Sequence, residues 1–520
     1  MKRLKTIISI VSLSLLVFAI CLPLGAQEPK KGGTLNVGLH IPFPTLDWQS
    51  TVAHPLPHGF HLVFEGLFAW GKDFNPEPEL ADWWKASDNN KIWTFGLRKG
   101  VLFHNGKEMT AEDVKASIER WKRVAPKGAM LKDLEEIKVV DKYTVQFKFS
   151  VPMGRFLFLI LGADENKAVI MPEEIAEAST QGGVLTEIVG TGPYRFVEYR
   201  EEQYLKLKRF EGYVPRSDPP NYQTGKKVPY VDEIIFWIVP EASTRVAGLE
   251  TGEYDAITIV PDVEYKRLKD KEGVVPVIIN PPVLIYMMFN HKKGLMSNIN
   301  MRKAMQALID VDPIVRSVVG DEAFASVNPS LFSPGGAYET HVCADLYDQG
   351  NIEKAKEFLK KANYNGEPVR FLVLRTLPTN TRACIAIAQQ MSEAGMNVQL
   401  LFYDLATWVA KRSDPNEWDI YVSEGYWQDP SLFHAEFNGK FCGWFISPET
   451  EEVFKKLRQE ADFSKRYKLG EELQRLFYEK VATINLGYFH RLRARRAWLK
   501  DPEGNIGLGN LTLNNVWLEK

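Results

Sequence analysis

The chain has 520 residues, and 64 Lys and Arg face 66 Asp and Glu for a net charge of −2. A nearly balanced, mildly acidic chain lacks the basic footprint on which nucleic-acid binding rests, so no nucleic-acid partner is expected. A chain this long exceeds what one hydrophobic core usually organises, which predicts two or more lobes. Aromatic residues make up 12% of it, with 13 Trp, a supply suited to walls that enclose a ligand.

The N-terminus comes first. Lys2, Arg3 and Lys5 precede an uncharged, mostly apolar run over residues 7–22, and Pro23, Gly25 and Ala26 follow. This is the layout of a cleaved secretory signal peptide over residues 1–26. The run is shorter than the ~20 apolar residues a spanning helix needs. Cys21 follows Ile20, where a lipid-attachment motif wants a small residue. No later stretch is long and apolar enough to span a bilayer, so an exported, soluble mature chain is expected. Cys343, Cys384 and Cys442 would remain after cleavage. Three thiols permit at most one disulfide, and their spacing does not choose the pair.

Residues 33–39 read as a first strand. Residues 94–98 and 144–149 alternate apolar and polar side chains, as half-buried strands do. Between them Thr110 opens a helix to about Trp121, with Glu112 and Asp113 at its positive end. Residues 233–239 and 274–280 are apolar, β-branched runs, and the segment between them holds a helix over 241–250 closed by Gly252. That order points to α/β packing. Further on, residues 300–309 and 352–362 are helical. A strand at 370–374, a helix at 381–394 closed by Gly395 and a strand at 397–402 form a βαβ unit. Residues 451–478 are helical with a break near 462–464. Arg491, Arg493, Arg495 and Arg496 read as one solvated strand face.

Motifs for catalysis are missing: GxSxG, HExxH, the Walker A pattern and GxGxxG do not occur. His54, His58 and His61 have the right chemistry for a metal. Pro55 and Pro57 disrupt their spacing, and no Cys or carboxylate pattern completes a site. Neither a metal nor a cofactor is expected. A carboxylate pair of the glycosidase kind leaves no such signature, so a secreted hydrolase stands as the reading from another functional class.

Several segments share an order with a known family. They are Val63-Phe-Glu-Gly-Leu, Pro78-Glu-Leu-Ala-Asp-Trp-Trp, the stretch from Trp93 to Gly106 with Met109-Thr-Ala-Glu-Asp-Val, and Gly190-Thr-Gly-Pro-Tyr. Leu249-Glu-Thr-Gly-Glu-Tyr-Asp-Ala, Phe289-Asn290, the stretch from Arg302 to Asp310 and Glu353-Lys-Ala-Lys-Glu-Phe-Leu-Lys follow. Together they resemble the peptide/nickel solute-binding family (family 5) of ABC importers. The resemblance implies an α/β, two-lobed periplasmic-binding-protein fold (type II, cluster C-like) with a subdomain inserted in the N-terminal lobe. Carried over, lobe I takes residues 27–62, 190–285 and 488–520, the inserted subdomain 63–189 and lobe II 286–487. The chain would cross between lobes near 284–290 and 484–490. The segment from Trp93 to Val114 would be mainly scaffold.

The implied function is capture of a peptide or peptide-like small molecule in the periplasm and delivery to the permease subunits of an ABC transporter, by a monomer that is no enzyme. Ligand candidates follow from the same resemblance. Glu424, Tyr426, Trp427, Gln428 and Asp429 fall in the loop that peptide binders place in the cleft, where Glu424 or Asp429 would meet an ammonium. Arg375 sits where dipeptide binders place an Arg for the ligand carboxylate. Trp408 offers a stacking face, and His40 follows the first strand in a cleft-facing loop. The loop departs from the dipeptide pattern, which leaves open a non-peptide solute such as an oligosaccharide, an opine-like conjugate or a metal chelate.

Overall fold

The computed structural model describes residues 28–51, 56–161, 166–179 and 185–520. The signal-like segment and His54 lie outside the described residues. Two large sheets divide the chain. The first has seven strands in the order Val274–Ile278, Leu492–Arg496, Ala256–Val260, Thr34–Leu39, Glu233–Ile238, Tyr204–Arg209 and Tyr194–Arg200. The second has six, in the order Ala325–Ser326, Thr483–Phe489, Val283–Phe289, Ile420–Gly425, Val369–Leu374 and Val398–Tyr403. A smaller antiparallel sheet of Ala81–Ser87, Ile92–Leu97, Thr144–Phe149 and Leu134–Asp141 packs with the helix Ala111–Val124.

The chain passes from the first large sheet to the second between Val274–Ile278 and Val283–Phe289, and returns between Thr483–Phe489 and Leu492–Arg496. Val283–Phe289 and Thr483–Phe489 pair antiparallel, and every residue in both is buried. Strands covered on both faces read as unbroken apolar runs, as VLIYMMF does. The unit of Val369–Leu374, the helix Pro378–Glu393 and Val398–Tyr403 is the expected βαβ, with the two strands parallel in register.

The order between residues 233 and 280 is richer than the sequence suggests. A strand Ala256–Val260 and a short helix Tyr265–Lys269 follow the helix Ala242–Thr251 before the strand Val274–Ile278. Five residues, four of them apolar, are too few to separate a strand from a buried turn by periodicity. Here the strand is fixed by remote partners, Thr34–Leu39 on one side and Leu492–Arg496 on the other.

The basic run at 491–496 is also corrected. Arg493 is buried and donates to the carbonyls of Ile506, Leu508 and Gly509 at 2.6–3.1 Å. Its strand lies between two others, and the loop at 505–509 folds over it, so a guanidinium serves there to satisfy carbonyls. Among the described residues all three cysteines are free thiols.

The recurring motifs turn out to hold the scaffold. Glu65 and Glu79 are buried and share the Lys227 ammonium at 2.9 and 2.5 Å, while Lys167 reaches Glu79 at 2.6 Å. The Thr191 hydroxyl donates to Glu65 at 3.0 Å, and a Cβ at Gly190 or Gly192 would strike the carbonyls of Val63 and Leu62. Asp113 accepts the Thr110 N–H and the Glu173 N–H, both at 2.8 Å, and the Lys107 ammonium at 2.7 Å. Buried charges survive because each is paired and hydrogen-bonded.

Candidate ligand site between the lobes

A cavity of about 610 Å³ opens between the lobes. Its walls come from distant parts of the chain. The inserted segment supplies Met130, Arg155 and Phe158, the C-terminal segment Asn510, and the second sheet with its following loop Glu424, Tyr426, Trp427, Gln428 and Glu436. Arg491, next to the returning crossover, also borders it. The volume is that of a small-molecule site, and aromatic side chains set among charged and polar ones suit an amphipathic solute.

Glu424 lies in the strand Ile420–Gly425 opposite Ile285 of the buried crossing strand. Its carboxylate accepts the Thr379 hydroxyl, and the Arg491 guanidinium stands 3.8 Å away. Burial pushes the carboxyl above its ordinary range, and Thr379 and Arg491 oppose that shift. Glu436 behaves alike: burial raises it, while the Tyr286 hydroxyl, donating at 2.7 Å, and Trp427 hold it down. Trp427 packs against Tyr286 and Phe433 with ring centroids 4.4 and 4.2 Å apart, so one edge borders the cavity and the rest is core. Tyr426 lies beneath Arg491, whose guanidinium is 6.0 Å from the ring centre. Gln428 is buried in the same wall.

The other expected residues lie elsewhere. Asp429 turns inward, caps the short helix Pro430–Ala435 by accepting the Ser431 N–H at 2.8 Å, and pairs with Arg466 at 2.5 Å. The Asp-Pro step dictates this, since an Asp before a helix start satisfies the free N–H groups of the first turn. Arg375 is exposed beyond the strand Val369–Leu374, with its N–H on the Tyr403 carbonyl, and does not border the cavity. Trp408 is buried in the lobe core, edge-on to Tyr421 at 5.4 Å with Arg412 over its face at 4.6 Å. His40 hydrogen-bonds the Thr258 hydroxyl through Nδ1 at 3.0 Å and lies outside the lining. His58 and His61 are buried, and no metal-binding group of three His, Cys, Asp or Glu occurs among the described residues.

Arg155, Phe158, Glu436 and Asn510 border the cavity without any local mark in the sequence. They belong to segments that meet only through the fold. Arg491 stood in a basic run whose other members serve the scaffold.

Two α/β lobes, joined by paired crossing strands with a cavity between them, have the architecture of a solute-binding protein. Residues 75–441 match the family of bacterial extracellular solute-binding proteins, family 5 (middle region), and the chain belongs to that family. A probable peptide ABC transporter periplasmic-binding protein (y4tO) of Sinorhizobium fredii is 26% identical over 457 residues, spanning 82% of this chain and 83% of its own. The crystal structure of the ABC transporter substrate-binding protein CtaP of Listeria monocytogenes superposes with a TM-score of 0.80 at 20% identity, covering 94% of this chain and 100% of that one. AgaA of A. tumefaciens R10, solved with agropinic acid, gives a TM-score of 0.73 at 23% identity over 94% of this chain and 99% of its own. The fold is the two-lobed α/β periplasmic-binding-protein fold. The protein is the extracytoplasmic solute-binding component of an ABC importer, takes a small molecule between its lobes, and is not an enzyme.

Proposed function

We propose that the solute is a peptide or peptide-like zwitterion whose ammonium is held by Glu424. The carrying observation is the Glu424 carboxylate, largely withdrawn from solvent in the cavity wall with its nearest cation, Arg491, 3.8 Å away. An incoming ammonium restores the charged form that burial disfavours, so the solute gains a contact available only in the bound state. Asp429 cannot serve, because Arg466 already occupies it. Tyr426 and Trp427 provide the apolar surface, and Gln428 and Asn510 provide hydrogen bonds. The similarity to a probable peptide-transporter binding protein supports this reading. Export through a signal cleaved after Ala26 fits delivery to a membrane permease.

A second reading is an opine-like conjugate. Arg155 and Arg491 both border the cavity, and a structural neighbour was solved with agropinic acid. Native mass spectrometry of the purified protein, followed by release of the bound molecule, separates the two. A free-amine peptide supports the first; a carboxylated sugar conjugate without a free ammonium overturns it.

A further inference from the structure

One end of the cavity carries an excess of positive charge that the scaffold does not consume. Arg155 precedes the helix Phe156–Leu161 of the inserted segment, and Arg458 lies in the last turn of the helix Pro448–Gln459 in the other lobe. The Arg155 N–H donates to the Arg458 carbonyl at 3.4 Å, so the two residues meet across the lobe junction. Arg155 Nε and Arg458 Nη1 are buried without a hydrogen-bond partner. Among the described residues neither guanidinium makes an ion pair.

The neighbouring carboxylates do not balance the two guanidiniums. Asp429 belongs to Arg466, which also lies over the Phe158 ring at 5.0 Å. Glu451 faces His434 at 3.5 Å and leaves its Oε1 buried without a hydrogen-bond partner, so one carboxylate stands beside two guanidiniums. His434 itself borders the cavity, and burial, followed by the charge of Arg458, disfavours its protonated form. Two guanidiniums brought from opposite lobes to one spot repel each other in a medium of low dielectric. Closing the lobes over them is favoured by a further negative charge.

We propose that Arg155 and Arg458 form a cross-lobe anion site that takes the carboxylate end of the solute. Arg155 reaches it from the cavity wall, and Arg458 reinforces it from the opposite lobe. The ligand's negative charge thereby holds the lobes together, because only the closed arrangement places both cations around it. This inference rests on the interlobe cavity being the binding site.

The test titrates ligand-stripped protein with alanine peptides of two to five residues, the same peptides as C-terminal amides, and the non-peptide acids succinate and citrate. The expected result is that acids bind at least tenfold more tightly than amides, that Arg155→Gln removes this preference, and that Arg155→Lys partly restores it. Citrate binding that depends on Arg155, with no peptide binding, upholds the anion site and rejects the peptide reading. Equal binding of acids and amides upholds the peptide reading and overturns the anion site. Unchanged acid binding in a folded Arg155→Gln variant, or no binding by any acid, also overturns it.

Discussion

Asp429 and Arg466 form an ion pair at 2.5 Å with side chains 0% and 1% exposed. Arg466 also donates to the Tyr338 hydroxyl at 2.9 Å and to the carbonyls of Leu457 and Glu460 at 2.6 and 2.9 Å. The loop below the cavity is thereby fastened to the helix Phe463–Lys480. Removing one partner of such a pair leaves an uncompensated buried charge, at a cost of about 3–5 kcal/mol. Asp429→Ala should lower stability by that amount in urea unfolding. A loss below ~1 kcal/mol contradicts the structural role given to the pair.

Glu424 should show the opposite stability effect. Burial raises its carboxyl pKa in the folded protein. The folded state then binds more protons than the unfolded chain, so its stability falls as pH rises from the unfolded value through the folded one. Ligand-free Glu424→Gln should therefore melt higher than the parent at neutral pH, and the difference should shrink in acid. The same variant should bind free-amine peptides at least tenfold more weakly, about 1.4 kcal/mol. A melting temperature equal to or below the parent's at neutral pH contradicts the burial account.

Arg375→Ala should leave solute affinity within about twofold, which is under ~0.5 kcal/mol. The residue is exposed and lies off the cavity wall. A tenfold loss measured by calorimetry would return it to the site.

The thiols should differ sharply in reactivity. Cys384 is fully buried, and burial pushes its thiol far above the ordinary range, whereas Cys343 and Cys442 are partly exposed. Iodoacetamide should label Cys343 and Cys442 in the native protein, and Cys384 only after unfolding. Mass mapping of the labelled chain checks this, and native labelling of Cys384 contradicts it.

The scaffold was more legible than the site. The helix Ala111–Val124 announces itself through Thr110 and Asp113, and the βαβ unit through its strand–helix–strand order and Gly395. The ordered motifs carry Glu65, Glu79, Asp113 and Thr191, which hold buried networks in this chain. Ala256–Val260 was not legible, since its strand pairing depends on partners at both ends of the chain. The loop of Glu424 to Gln428 could be placed by resemblance. Arg155, Glu436 and Asn510 could not, because no local pattern marks a residue that meets the cavity only through tertiary packing. Asp429 shows the converse: a carboxylate in the expected loop is consumed by an Arg far along the chain.

The central claim, capture of a zwitterionic solute anchored at Glu424, is tested most directly by calorimetric titration of ligand-stripped protein with short peptides and their N-acetylated forms. The account predicts one solute per chain for the free-amine peptides, and at least a tenfold loss of affinity on acetylation. Equal affinity for both forms, or no binding of any free-amine peptide, would contradict it.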